Sequence, residues 1–120
     1  MLHFGLETAL HSLTLHNNTE LRCSAIQRLA DWDKAQKFFQ ADMLRLLSDA
    51  DVDVRIAAIG ATSIAGLRTD PVKQRLLEIL GNTEENPEVR SVAEMNLQDF
   101  NFSEDEYAAY RKALQSLIHD

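Results

Sequence analysis

An all-α protein built from stacked helical hairpins is the fold that this chain predicts, on three observations. A short string recurs at nearly even spacing, each copy carries helix-start chemistry, and each is followed by the same helical apolar face. The string reads Asn18-Thr19-Glu20-Leu21-Arg22, Asp51-Val52-Asp53-Val54-Arg55 and Asn86-Pro87-Glu88-Val89-Arg90. Its arginines stand 33 and then 35 residues apart, and a fixed period of that size means one supersecondary unit stacked on copies of itself. Asn18, Asp51 and Asn86 have side chains suited to accept the free N–H groups of a first helical turn, and Pro87 suits the first position inside one. Counted from each arginine, positions −1, +3, +7 and +10 form a stripe. The residues are Leu21, Ala25, Leu29 and Trp32; Val54, Ala58, Thr62 and Ala65; and Val89, Ala93, Leu97 and Phe100. That spacing lies on one helix face and is apolar but for Thr62. The alanine at +3 in every copy predicts a close helix approach there, where a larger side chain would overpack.

Each marked helix is preceded by a partner. The first is expected over residues 2 to 15, with Leu6, Leu10 and Leu13 on one face. The second begins after Asp33 and runs through Phe39, Met43, Leu46 and Leu47 to about Ser48. The third is framed by Asp70 as cap, Pro71 in the first turn and Gly81 just past the end. A last helix opens with the capping box Ser103-x-x-Glu106 and carries Tyr107, Tyr110, Leu114 and Leu117 at helical spacing. The expectation is one domain of seven helices: hairpins over residues 2–31, 33–67 and 70–100, and a closing cap over 103–118.

The Asp-x-x-x-Arg start with small residues after it, clearest in Asp51-Val52-Asp53-Val54-Arg55-Ile56-Ala57-Ala58, resembles HEAT repeats, particularly the short type of phycobilin lyases. The resemblance covers residues 2 to 100. It implies a right-handed α-solenoid whose second helices line the concave side. It also implies a ladder along the stack, carried here by Asp51 with Arg55 and, with asparagine in place of the acid, by Asn18 with Arg22 and Asn86 with Arg90. Tetratricopeptide and ankyrin units are closer in length, but their signatures are missing.

Composition narrows the function. The net charge is −7, and residues 81 to 120 hold nine acids against three bases. Phosphate-backbone binding relies on clustered lysine and arginine, so nucleic acid is not the expected partner. No apolar run reaches the ~18 residues of a membrane span, and no leader opens the chain. The single cysteine, Cys23, cannot form an internal disulfide, and the cytoplasm is the expected compartment.

Reactive chemistry is not expected. There is no phosphate loop, His-Glu-x-x-His, paired cysteine motif or nucleophile elbow. Asp49, Asp51 and Asp53 imitate the start of a calcium loop, but Val54 stands where glycine is required and Gly60 where the bidentate glutamate belongs. His3 and His11 lie about 12 Å apart along a helix, too far to share one zinc ion; His16 and His119 read as surface residues. Cys23 follows Arg22, which would lower its pKa if the two faced each other, but it reads as a small structural residue. No cofactor, metal or catalytic residue is expected.

The candidate site lies on the other side of the marked helices. Positions +1, +5 and +8 are Cys23, Gln27 and Ala30; Ile56, Gly60 and Ser63; and Ser91, Met95 and Gln98. None is charged, and charge depletion marks interface centres. With the resemblance, this stripe reads as the floor of a groove for a partner peptide or helix, with Ile56 and Met95 as apolar contacts. Gly60 weakens its helix by roughly 1 kcal/mol relative to alanine, which suggests close backbone approach there. The expected function is a non-catalytic protein-interaction or scaffold module. A chromophore-handling protein of the bilin-lyase kind is the alternative, and a helical-repeat DNA glycosylase is disfavoured by the acidic charge.

Overall fold

The computed structural model describes residues 12–30 and 36–119. Every element among them is helical. We number these helices α1 (Thr19–Ala30), α2 (Gln36–Leu46), α3 (Val52–Ile64), α4 (Asp70–Gly81), α5 (Pro87–Leu97) and α6 (Glu104–His119). Six helices thus stand where the sequence predicts seven. The seventh, expected over residues 2–15, lies outside the described residues except for a helical end at Ser12 and Leu13.

The chain divides into two compact units, Met1–Leu67 and Arg68–Asp120. In the first, α3 packs against both α1 and α2. The pair α2–α3 is a hairpin closed by a short turn, and α1–α3 is the side-by-side contact of two marked helices. Residues just before α1 join through Thr14, which is buried and receives the Arg45 guanidinium at 2.8 Å on its hydroxyl. In the second unit, α4 packs against both α5 and α6. Here α4–α5 is the hairpin, and α6 lies beside α4 as the first helix of one repeat lies beside that of the next.

The predicted stripe is the core of these helices. Ala25, Val54, Ala58, Val89, Ala93 and Leu97 are buried, and Phe100 nearly so. Thr62 is buried as well, its hydroxyl donating to the Ile59 carbonyl at 2.7 Å, so the one polar residue of the stripe leaves no unpaired donor. Ala65 at the end of its helix is half-buried, and Leu21 departs from the pattern at 39% exposed. Its counterpart Val54 is covered where α3 meets α1, whereas α1 has no earlier marked helix to meet. The side chain of Leu29 and all of Trp32 lie outside the described residues. The core also takes in position +4, with Ile26 and Ile59 buried, because the neighbouring helix covers a broader arc than the stripe.

Helix ends follow the side chains that terminate them. Asn18 Oδ1 accepts from Leu21 N at 3.2 Å, Asp51 from Asp53 N at 2.8 Å and Asn86 from Glu88 N at 2.8 Å. At α6 both halves of the capping box form: Ser103 N donates to Glu106 Oε1 at 2.9 Å and Glu106 N to Ser103 Oγ at 3.2 Å. At α4 the expected cap moves by one residue. Thr69 is the N-cap, without a side-chain cap bond, and Asp70 is the first helical residue, where its charge meets the positive helix end. Gly81 belongs to that helix rather than following it. Helix α3 ends at Gly66, whose φ of 66° is the left-handed conformation that glycine adopts without steric penalty. Gly66 N donates to Ser63 O at 3.1 Å and Leu67 N to Thr62 O at 3.0 Å, the paired bonds of a Schellman stop.

Candidate functional site

Two of the three repeat arginines bind the turns that lead into their own helices. Arg22 donates through Nη1 to the carbonyls of His16 and Asn17, at 2.8 and 2.9 Å. Arg55 does the same to the Asp49 carbonyl at 2.8 Å, again six residues back. Arg90 reaches further, with Nε on the Leu80 carbonyl at 2.9 Å near the end of α4 and Nη2 on the Ser116 hydroxyl of α6. In the first two copies a fixed cation satisfies carbonyls that the turn would otherwise leave bare, and in the third it satisfies one of the last carbonyls of α4.

The acid that meets Arg22 comes from the turn before the next marked helix. Arg22 Nη2 pairs with Asp49 Oδ1 at 3.2 Å, both side chains well shielded. That same oxygen accepts Asp51 N at 2.9 Å. The Asp51 carboxylate accepts the Thr19 hydroxyl at 3.2 Å in addition to its cap bonds. The junction of α1 with the α3 turn is therefore built on Asp49, which the sequence singles out only as part of a failed calcium loop. Burial works to raise the Asp51 carboxyl, but bonds from Asp53 N, Val54 N and the Thr19 hydroxyl, with the charge of Arg22, hold it below the usual carboxylate range. These acids are committed to N–H groups and a guanidinium. Among the described residues no group of three His, Cys, Asp or Glu side chains could hold a metal ion.

Cys23 is half-buried, and its thiol is pushed up, first by burial and then by Asp51 and Asp53, which outweigh Arg22. An activated nucleophile needs the reverse. His16 Nδ1 accepts Asn18 N at 3.0 Å beside the α1 cap. His3 and His11 lie outside the described residues, as does the His119 side chain.

The uncharged stripe faces solvent in each unit. In the first, Gln27 of α1 and Gly60 and Ser63 of α3 are exposed, and Ile56 is half-buried; the Ala30 side chain lies outside the described residues. In the second, Ser91, Met95 and Gln98 are exposed, although the Gln98 amide is already spent on Glu94 at 2.9 Å. A Cβ built on Gly60 meets nothing within 4 Å, so no neighbouring helix explains that glycine. Ile64, 73% exposed and two turns beyond Ile56, lies outside the three positions of the uncharged stripe. Ile56, Gly60 and Ile64 stand four residues apart, so the bare glycine leaves a notch between two isoleucines on α3. Met95, 65% exposed, is the apolar counterpart on α5.

The second unit also carries a polar tie. Lys73, nearly buried, donates to Glu106 Oε1 and to the Asn101 carbonyl, both at 2.9 Å, and Gln74 donates to Glu106 Oε2 at 2.8 Å. The Ser103 N–H, then the Lys73 ammonium, hold the Glu106 carboxyl below its usual range; the bond to Glu106 raises Lys73. Beside it Phe102 stacks on Tyr110 at 5.1 Å, and the Tyr110 hydroxyl donates to Glu94 at 2.7 Å. Burial, then Glu94, pushes that hydroxyl up to about 12.

No described helix is long and apolar enough to cross a membrane. A family model for HEAT repeats matches residues 6–98. No curated protein and no solved structure matches the chain.

Proposed function

The chain belongs to the HEAT repeat family, and from that premise we propose that it is a non-catalytic module that binds a peptide or helix of a partner protein. HEAT repeats commonly mediate protein–protein interaction through the broad faces that stacked helices present. One observation carries the reading: large, strongly exposed apolar side chains, Ile64 and Met95, stand on the marked helices α3 and α5, one in each unit. Scattered exposed apolar residues are ordinary; their place on corresponding helices is what favours an interface.

Affinity capture by the full chain, repeated with Ile56→Glu, Met95→Glu and the double variant, tests the proposal. A specific partner should be retained by the parent chain and lost from the double variant. Equal retention by a correctly folded double variant refutes it. The short, bilin-lyase subtype of the repeat belongs to the same proposal and is read separately, by adding a linear tetrapyrrole to the chain; an unchanged absorbance spectrum removes it.

A further inference from the structure

The exposed side of α5 carries a charge pattern that specifies what can dock there. Glu88, Ser91, Met95 and Gln98 are three, four and three residues apart and all exposed, so they line one face that runs about 15 Å along the helix. The opposite side is buried through Val89, Arg90, Ala93, Asn96 and Leu97. Arg90 is the sole base of the helix, and it is 2% exposed with its guanidinium turned to Leu80 and Ser116. The acids have no such counter-charge. Glu88 meets no basic side chain among the described residues, and Glu94 accepts only neutral donors, the Gln98 amide and the Tyr110 hydroxyl. Asp99, one residue past Gln98, shares a 3.7 Å contact with Arg68 in which both side chains are about half exposed.

We infer that this face docks a basic amphipathic helix of a partner protein, with an apolar side chain seated on Met95 and lysines or arginines over Glu88 and Glu94. The inference names the partner chemistry at α5, within the second unit, and rests on the reading proposed above. Three features require this occupant. Met95 supplies one apolar anchor on a straight helical ridge, which a second helix matches with residues at i, i+3 or i+4 and i+7. Carboxylates two turns before Met95 and next to it, Glu88 and Glu94, are left without cations, so bases on the partner complete them and acids are repelled. The wider surface has the same sign, with nine acids against three bases over residues 81–120, which excludes polyanions such as nucleic acid or an acidic lipid surface.

The test uses three labelled amphipathic helical peptides sharing a leucine face, with lysine, glutamine or glutamate on the polar face. Each is titrated by fluorescence anisotropy against the full chain at low and physiological salt. The lysine peptide should bind, more weakly as salt rises, and the glutamate peptide should not. Glu88→Lys should weaken the lysine peptide roughly five-fold, as two altered surface charge contacts imply. Glu104→Lys changes the net charge equally but lies on α6 and should leave binding unchanged. Met95→Ser should cost roughly ten-fold through lost apolar contact. Equal weakening by Glu88→Lys and Glu104→Lys reduces the effect to net charge and overturns the inference. If the glutamine peptide binds as tightly and responds only to Met95→Ser, the basic partner is refuted while the docking surface stands. If no peptide responds to Met95→Ser, both fall.

Discussion

Two glycines of α3 and its stop make the sharpest test of the geometry, because the same substitution should act on them with opposite sign. Gly60 is helical, exposed and open on all sides, with nothing within 4 Å of a Cβ placed there. Alanine at that site therefore meets no steric cost and restores helix propensity, a gain of about 0.8–1.0 kcal/mol. Gly66 has equal space around it, but its φ is +66°. A side chain in the left-handed region costs about 1–2 kcal/mol, and the reduced freedom of the unfolded chain returns about 0.4–1 kcal/mol of that. Gly66→Ala should then be destabilising by roughly 0.5–1 kcal/mol. The two variants differ by about 1.5–2 kcal/mol, which at roughly 4 °C per kcal/mol for a chain of this size is a separation of about 6–8 °C in Tm. Thermal and urea unfolding followed by far-ultraviolet circular dichroism read it out. Both residues lie in the Met1–Leu67 unit, so local context is shared. If Gly66→Ala stabilises as Gly60→Ala does, the Schellman stop is wrong. Partner capture adds a second axis: Gly60→Ala fills the notch between Ile56 and Ile64, so it should weaken binding at α3 while raising stability.

Other expectations follow from single sites. Leu76→Ala empties a fully buried position on α4 and should lower unfolding free energy by about 2–5 kcal/mol. Asn86→Ala removes the α5 cap bond at 2.8 Å and should cost about 1 kcal/mol in urea unfolding, with Asn86→Asp retaining most of the stability. Because the folded-state Glu106 carboxyl sits below its ordinary value of 4.5, its contribution is complete above that pH and lost as acid takes the folded group through its own pKa. Stability of the parent chain should therefore fall more steeply with acid than that of Glu106→Gln, and parallel acid-unfolding curves would count against the tie. Tyr110, held up to about 12, should keep its proton to that pH in an ultraviolet titration of the folded chain and release it earlier in Glu94→Gln, since part of the elevation comes from that carboxylate.

The helical elements were legible because their signals are local. Asn18, Asp51, Asn86 and the Ser103–Glu106 box each satisfy N–H groups within three residues, so the chemistry that starts a helix is written beside it. The buried alanine at +3 was legible too, since a helix face repeats with a known period. The shift from Asp70 to Thr69 at α4 shows the resolution of such signals: a proline in the first turn is compatible with a start one residue earlier, and Asp70 then acts through its charge at the helix end rather than as the cap. For the candidate surface, the uncharged stripe emerged from counting, but Ile64 did not, because it sits at the end of α3 outside the three positions counted.

Asp49 shows where local reading ends. Its carboxylate ties Arg22, 27 residues earlier, to the turn before α3, and no pattern around either residue singles out that pair over the cap Asp51. Lys73 and Glu106, 33 residues apart, are alike in this. Periodicity and capping determine that the chain forms hairpins of helices, since those depend on neighbours within one or two turns. Which charges meet across them, whether a glycine opens a notch or touches a neighbour, and which side of α5 is left acidic depend on how helices distant in sequence come to lie side by side, and that is settled only when the core packs.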